Sequence, residues 1–351
     1  MKQNNNDKQL KEWGYSVKRL PWDDYDQPDD LSHLSPDEQL ISSCVHQWYY
    51  ARHAGVSCYE IKLINSIVIE YCPICGSTAF YKNGFYRDGT QCYRCKNCGH
   101  KFSPLTGTIF EDHKIPISEW IEYLLYLFEF HSIRTSARDN RNAESTGRYW
   151  LFKVFTVLKN IQDDIVLSGD VYFDEMFFSV VEHKKLIKDG KQLRGISRNK
   201  IAVAVACDGY GNKVLVNEKT SKPSKRSTWD AMSSHIKPGS HLIHDGDNSH
   251  SILVKKLSLT ESVYPTRMTR NLPDKDNPLD PINDLHSLIR RYMRVHGGYN
   301  RNQLQDWMNL ICFILSNPVN RYEKVQKFIK IAIVSPGRVK YRDVMSQKKP
   351  K

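Results

Sequence analysis

Apolar residues in the first half of the chain recur at helical spacing. Between residues 117 and 130 they recur every three to four positions, which predicts an amphipathic helix. Residues 132–160 predict two more helices, separated near 142–145. Upstream, Ser35-Pro36 is typical of a helix start, and this helix is expected to run to about residue 51.

From residue 165 the pattern becomes that of strands. Residues 166–181 alternate, 201–207 form a near-continuous apolar run, and 214–216 follow a turn at 208–211, which predicts a three-stranded meander. Helices and strands then alternate: helix 227–236, strand 241–244, helix 249–258, a strand near 263, and helices 284–296 and 302–315. This order favours an α/β fold of the ribonuclease H-like type, a mixed sheet flanked by helices.

Four cysteines before these helices are spaced as two pairs. Two residues separate Cys72 from Cys75 and Cys95 from Cys98, and nineteen lie between the pairs. This spacing predicts a zinc ribbon in which the four thiolates hold one structural Zn²⁺ tetrahedrally. Cys92 is left out because it breaks the symmetry of the two pairs.

Glycines and aromatic residues add detail to this ribbon. Gly76 and Gly99 each follow a cysteine pair, where the backbone must turn tightly. Aromatic and basic residues interleave along the predicted hairpin, and they fit either a nucleic-acid surface or the cover of a very small core. They are Tyr81, Lys82, Phe85, Tyr86, Arg87, Tyr93, Arg94 and Lys101.

Charge is distributed unevenly along the chain. The net charge is +12, but residues 1–60 carry 6 basic and 10 acidic side chains, and residues 180–351 carry 32 basic and 15 acidic ones. A surplus of basic side chains of this size in residues 180–351 favours a polyanionic partner. Apolar runs such as 310–315 are far shorter than a membrane span, and the polar N-terminus has no signal core. We therefore expect a cytoplasmic protein with no membrane partner.

Basic residues also lie along the helices predicted after the ribbon. They are Arg134, Arg138, Arg141 and Arg148. Three short helices with a basic face fit a helix-turn-helix, in which one helix enters the major groove of DNA. A small helical spacer fits the same pattern equally well.

Two carboxylates lie in or at the end of predicted strands. Asp174 is inside an apolar strand, where a carboxylate is costly to bury unless it is paired or holds a metal. Asp245 ends a strand at an Asp-Gly dipeptide, which is also an ordinary turn signal. Carboxylates from neighbouring strands can bridge two divalent ions for phosphoryl transfer. Glu175 should face the other side of its strand and is interpreted as structural.

A third oxygen ligand is expected from the helix near residue 283. Asn283, His286, Arg290 and Arg294 fall on one helical stripe, an arrangement suited to a metal and a phosphate. Asn283 could instead only cap the helix. Asp280 remains a substitute ligand, whereas Asp284 points about 100° away from the stripe.

Taken in order, these motifs resemble a known family: bacterial insertion-sequence transposases with an N-terminal zinc ribbon and a DDE-type catalytic domain whose third member can be Asn. The matching stretches run from about residue 70 to about 320 and are Cys72–Gly76, Tyr93–Gly99, Thr106–Phe110, Phe173–Glu175, His244–Gly246 and Ile282–Arg290.

The resemblance implies a catalytic triad of Asp174, Asp245 and Asn283 that binds two Mg²⁺ or Mn²⁺ ions. It also implies double-stranded DNA as partner, both transposon ends and target, a homo-oligomer on DNA, and a nucleoid-associated enzyme. The ribbon and the helices after it would bind the transposon ends. Two alternatives stay open: a transposase-derived DNA-binding protein that no longer cuts, and a zinc-ribbon nuclease unrelated to transposition.

The predicted organisation has five segments. They are an N-terminal arm and helix of unassigned role (1–66), the zinc ribbon (67–105), a helical region that is a helix-turn-helix or a spacer (106–162), the ribonuclease H-like domain (165–335) and a basic tail (336–351).

Overall fold

The computed structural model describes residues 32, 35–37, 39, 41, 58–86, 89–111, 117–180, 185–188, 191–193, 195–335 and 337–346. They form two compact units. Unit 1 contains Met1–Leu125 and Val325–Arg338, and unit 2 contains Tyr126–Lys324 and Val339–Lys351. Of the predicted N-terminal helix, Pro36, Asp37, Gln39 and Ile41 are helical, and the remainder lies outside the described residues, as does Arg87 of the predicted hairpin.

Unit 1 contains a small three-stranded sheet. Its elements are helix α1 (Cys58–Asn65) and strands β1 (Phe80–Phe85), β2 (Gln91–Cys95) and β3 (Lys101–Phe102). The strands are antiparallel in the order β1-β2-β3. Three aromatic rings, those of Phe80, Tyr93 and Phe102, form its core with ring centroids 5.5 to 5.6 Å apart. The hairpin predicted between the cysteine pairs is thus present.

Three helices follow the small sheet. They are α2 (Ile117–Phe128), α3 (Ile133–Asp139) and α4 (Glu144–Leu158), so the predicted division near residues 142–145 is confirmed. The hydroxyl of Ser132 caps α3 by accepting the Thr135 N–H. A Cβ at Gly147 would lie 2.9 Å from the Cβ of Ala137, so glycine is what allows α3 and α4 to cross closely.

Unit 2 is built on a five-stranded mixed sheet. In chain order the strands are β4 (Asp170–Ser179), the outlying pair β5 (Ile187–Lys188) and β6 (Lys191–Gln192), β7 (Lys200–Asp208), β8 (Lys213–Thr220), β9 (His241–His244) and β10 (Thr260–Val263). The order in the sheet is β10-β9-β4-β7-β8. Strands β4, β7 and β8 form the predicted antiparallel meander, and β9 and β10 join parallel to β4.

Helices cover both faces of this sheet. The helices of unit 2 that follow in the chain are α5 (Lys225–Met232), α6 (Ser251–Lys256), α7 (Thr266–Thr269), α8 (Asp280–Val295), α9 (Leu304–Leu315) and, after a gap, α11 (Tyr341–Ser346). Helix α10 (Arg321–Val334) precedes α11 in the chain and belongs for most of its length to unit 1. Val171 and Phe173 of β4 face α5 and α6 in one apolar core, and α8 packs on the opposite face of β4 and β7. Helix α11 lies within the predicted basic tail.

Within the described ranges, no helix is long and apolar enough to cross a membrane.

Candidate functional site

The four paired cysteines converge in unit 1. The Sγ atoms of Cys72 and Cys98 are 3.8 Å apart, and those of Cys75 and Cys95 are 3.6 Å apart. Four sulfurs at about 2.3 Å from a tetrahedral Zn²⁺ are separated by about 3.8 Å, so the observed spacing fits this ion. The backbone of Cys98 hydrogen-bonds the Cys95 sulfur and lowers the pKa of that thiol to about 6, which favours the thiolate that binds metal.

Both cysteine pairs have the same backbone turn. Gly76 N–H donates to Cys72 O and Gly99 N–H donates to Cys95 O, at 2.8 and 3.1 Å. The two glycines have φ of +73° and +71°, a region that only glycine enters freely. The sequence expectation for these glycines is confirmed. The Cys92 sulfur lies outside the group of four and contacts Asn83 instead.

The aromatic residues of the small sheet divide into a buried ring and an exposed group. Tyr93 packs in the core with Cys72 and Cys95, as a small core requires. Tyr81, Phe85 and Tyr86 are exposed, with 44, 67 and 40% of their surface accessible. The exposed rings alternate with exposed Lys82 and so leave a surface of mixed aromatic and basic character available to a partner.

In unit 2, the pairing of β4 with β9 places Asp174 beside Asp245. The parallel register ends at the pair Phe173–His244, and each aspartate is the next residue along its chain. Neighbouring strands lie about 4.8 Å apart, so the two carboxyl groups start from adjacent positions. Burial, and to a smaller extent the negative charge of Asp245, raise the pKa of Asp174 to about 7. Two carboxylates that repel each other in this way favour a cation between them.

Each of these aspartates uses one oxygen locally. Oδ1 of Asp174 accepts the backbone N–H of Glu175 at 2.8 Å, and Oδ1 of Asp245 accepts that of Asp247 at 2.9 Å. Asp245 therefore has the turn role considered from the sequence, but its Oδ2, like that of Asp174, accepts no hydrogen bond from a described residue. These two oxygens are suited to a divalent cation.

Helix α8 brings the polar stripe to the same face of β4. His286 is buried, and its Nδ1 lies 3.8 Å from Oδ2 of Asp174. Burial, and to a smaller extent the positive charge of Arg290, lower the pKa of His286 to about 4, so the ring is neutral near pH 7. Asn283, one turn before His286, is exposed on the same stripe, as is Arg294 towards the other end.

The helix start excludes one alternative for Asn283. Helix α8 begins at Asp280 after Leu279, so Asn283 lies inside the first turns and its backbone N–H already donates to Leu279 O. It therefore does not cap the helix. Burial and the charges of Asp284 and Asp274 raise the pKa of Asp280, which places Asp280 beside those two acids.

A buried network beneath the carboxylates was missed from the sequence. Nε2 of His250 is 3.0 Å from Oε1 of Glu175, and Nδ1 of His250 is 2.9 Å from Nδ1 of His244. His244 Nδ1 also accepts the Gly246 N–H, so His250 must donate from both of its nitrogens. Burial opposes a charged ring, but Glu175 more than offsets this and raises the pKa of His250. Glu175 and His250 thus form a buried ion pair.

The segment His244–His250 has a sequence signal for this network, because two histidines flank Asp245 within seven residues. His244, Asp245 and His250 also lie close enough for one metal ion, with candidate ligand atoms within 4.8 Å of one another. The ring nitrogens in this group already have hydrogen-bond partners, including Glu261, which is 3.1 Å from Nε2 of His244. We therefore assign the two rings to the support of the Asp245 turn.

The arginines of α3 and α4 are exposed but largely paired. Arg148 forms an ion pair with Glu144, and Arg134 lies 4.0 Å from the same carboxylate. Arg138 pairs with the adjacent Asp139 at 3.1 Å. These contacts leave open both the helix-turn-helix and the spacer interpretation.

No model of a known protein family matches the chain. It is similar to an uncharacterized protein in transposable element ISH50 of the archaeon Halobacterium salinarum, with 23% identity over 255 residues, which is 68% of this chain and 82% of that protein. A chain of the pre-cleavage Mos1 transpososome, a crystal structure, aligns over 88% of this chain and 100% of its own with a TM-score of 0.24 and 8% identity, a likeness that carries no argument about fold.

Proposed function

We propose that the protein is a DNA transposase that cleaves and joins strands with divalent metal ions. The observation that carries this proposal is the adjacency of Asp174, inside β4, and Asp245, directly after β9, where the parallel pairing of these two strands ends. Each aspartate has an oxygen that accepts no hydrogen bond from a described residue. The sheet order, a meander followed by two parallel strands, supports a ribonuclease H-like domain. The relative in transposable element ISH50 supports transposition as the process.

Asp174, Asp245 and Asn283 would hold two Mg²⁺ or Mn²⁺ ions. Bound there, the ions supply Lewis-acid activation of a water molecule or a DNA 3′-hydroxyl and neutralise charge on the phosphate. Arg290 and Arg294, exposed on the stripe of α8, would bind the phosphates on either side of the reacting one. His286 beside Asp174 is neutral because burial keeps its pKa low, so its ring would not compete with a metal cation for the Asp174 carboxylate.

Four cysteines of unit 1 would hold one structural Zn²⁺. The sulfur separations and the two glycine turns support this assignment. In this proposal the ribbon presents Tyr81, Phe85 and Lys82 to the transposon ends, on which aromatic rings stack and a lysine pairs with phosphate.

The test uses the full-length protein and a labelled duplex that carries the terminal repeats bracketing its gene. With Mn²⁺ or Mg²⁺ the wild-type protein should cut this duplex at the element end. Asp174→Asn and Asp245→Asn should bind the duplex with wild-type affinity and cut it at less than about one hundredth of the wild-type rate, because each removes a charged metal ligand. Asp284→Asn, an exposed acid on another side of α8, should cut normally.

A second measurement separates loss of metal from loss of folding. Mn²⁺ should raise the melting temperature of the wild-type protein and not that of Asp245→Asn, because only the native carboxylate pair binds the ion. Full cleavage by either aspartate variant would refute the two-metal proposal. Binding of the duplex without any cleavage by the wild-type protein would favour the alternative, a transposase-derived DNA-binding protein.

A further inference from the structure

A short basic hairpin extends the two central strands of the sheet in unit 2. Strands β4 and β7 pair as far as Ser179–Lys200, and Val180 N–H continues the ladder by donating to Asn199 O. Beyond it, β5 and β6 pair with each other, Ile187 with Gln192 and Lys188 with Lys191. We call residues 185–198 the basic hairpin.

The basic hairpin leaves the sheet on the side of the carboxylates. Strand β9 pairs with β4 only as far as Phe173, so the edge of β4 from Asp174 to Ser179 has no strand partner on that side within the described residues. The five residues from Asp174 to Ser179 span about 17 Å at about 3.3 Å per residue. This length equals the rise of about five base pairs in a duplex that lies along β4, and Lys188 and Lys191 lie beyond Ser179.

Its stem is fixed to the sheet by a buried side chain. Asn199 accepts the Leu186 N–H at 2.7 Å and donates to Leu186 O at 2.9 Å, so its amide completes the ladder where the chain bulges. At the base, Lys200 Nζ donates to Ser179 Oγ and Arg301 Nε donates to Ser179 O. The hairpin is therefore an anchored projection whose base is positively charged.

The composition of the hairpin is unusual for a solvated loop. Residues 185–198 contain five basic residues and one acidic residue. Lys188 and Lys191 are exposed and directly opposite each other across the two strands, where like charges repel. Ile187 and Ile196 are 66 and 51% exposed. A polyanion with an apolar component at its surface, such as the phosphates and sugars of DNA, would relieve the repulsion and cover the isoleucines.

We propose that the basic hairpin binds the backbone of duplex DNA five or more base pairs from the phosphate that the carboxylates engage. This inference rests on the proposed function, because it takes DNA as the substrate, and it adds a second contact that fixes the register of the duplex. Lys188 and Lys191 contact phosphates, and the hydrogen bonds of the stem hold these lysines in place relative to β4.

The experiment measures the salt dependence of binding to a labelled random-sequence duplex of about 40 base pairs, using the full chain. Each phosphate contact contributes about 0.9 to the slope of log affinity against log salt, so Lys188→Gln/Lys191→Gln should lower the slope by about 2. The matched control is Lys237→Gln/Lys255→Gln. Both control lysines are exposed, and both lie near the other end of β9, where Gly239 N–H donates to Leu257 O. The control should keep the wild-type slope.

A footprint on the end-bearing duplex locates the contact. The wild-type protein should protect the backbone five or more base pairs from the cleavage position, and the Lys188→Gln/Lys191→Gln variant should lose that protection while the ribbon footprint remains. An unchanged slope and footprint in a variant that still cuts would overturn the hairpin proposal alone. Equal slope losses in variant and control would overturn it as well, since they would indicate general charge. The proposal would also be refuted if the Lys188→Gln/Lys191→Gln variant bound DNA normally and lost affinity only for an acidic protein. Absence of cleavage in the wild-type protein would instead refute the proposed function.

Discussion

The carboxylate of Glu175 and the ring of His250 form a buried ion pair although 75 residues separate them in the chain. Their side chains are 6 and 0% exposed, and the Nε2–Oε1 distance is 3.0 Å. Alternation along β4 turns Glu175 to the face opposite Asp174, as the sequence predicted. The pair thus lies under the carboxylate site and fixes the His250 ring, whose Nδ1 is 3.8 Å from Asp245.

We expect strong coupling between Glu175 and His250 in a double-mutant cycle. Glu175→Gln or His250→Gln alone should each cost about 3 kcal/mol of unfolding free energy, because each leaves one buried charge without its partner. The double variant should cost clearly less than the sum. Urea unfolding measures the four proteins. The exposed pair Arg226–Asp230, at 3.8 Å, is the control and should show coupling below about 0.5 kcal/mol. Additive losses at Glu175 and His250 would contradict the ion pair.

The purified protein should contain about one zinc per chain. Cys72→Ser and Cys95→Ser should each lose it and unfold unit 1 at lower temperature, because metal binding contributes folding energy in so small a core. Cys92→Ser is the matched control: it removes a buried thiol only three residues from Cys95 but outside the group of four, and it should keep the zinc. The zinc content of each protein is measured by metal analysis after purification without chelator. Zinc loss in Cys92→Ser, or none in Cys72→Ser, would contradict the ligand set.

The features that the sequence predicted correctly depend on the spacing of residues that are close together in the chain. The two cysteine pairs, the meander and the strand β9 follow from short-range pattern, and their observed bounds differ from the predicted ones by a few residues. The adjacency of Asp174 and Asp245 was predicted only as a pair of carboxylates from neighbouring strands, and the register of β9 against β4 is what places them side by side.

Contacts between distant residues were not predicted. The partner of Glu175 depends on how α6 packs on the sheet, which no local pattern encodes. The basic hairpin has one sequence signal, an Asp-Gly dipeptide at 189–190, but its two strands are only two residues long, too short for an alternating pattern to show. Asn283 was weighed as a cap because the predicted helix began at 284, whereas α8 begins at Asp280.

Acid should destabilise unit 2 through His296. The ring is buried between Tyr292 and Trp307, with centroids 4.6 and 4.7 Å away, and neither nitrogen has a hydrogen-bond partner among the described residues. Burial lowers its pKa from 6.5 to about 4. Between these values the unfolded chain binds a proton that the folded protein does not, so this contribution is present above pH 6.5 and is lost as pH falls towards 4.

His296→Phe should remove that pH dependence. The variant keeps an aromatic ring in the cluster and cannot be protonated, so the difference in unfolding free energy between variant and wild type should grow in favour of the variant by on the order of 3 kcal/mol from pH 7 to pH 4. Urea unfolding at several pH values provides the measurement. If the two proteins lost stability in parallel as the pH falls, folding would not lower the pKa of His296.

Substitution of Asn283 tests the third ligand. Its place inside α8 excludes a capping role, so Asn283→Ser should fold with nearly wild-type stability, at a cost below about 0.5 kcal/mol from helix propensity. Ser is too short to bring an oxygen to the ion that Asp174 and Asp245 would hold, so this variant should be inactive. Asn283→Asp keeps an oxygen at the same reach and should cut DNA, with a changed preference between Mg²⁺ and Mn²⁺ because of the added charge.

The control for Asn283 is Asp284→Ser, at the neighbouring exposed residue on another side of α8, and this variant should be active. Thermal melting and metal-dependent cleavage are measured on the same preparations. Cleavage by Asn283→Ser at the wild-type rate would remove Asn283 from the site and make Asp280 the next residue to test.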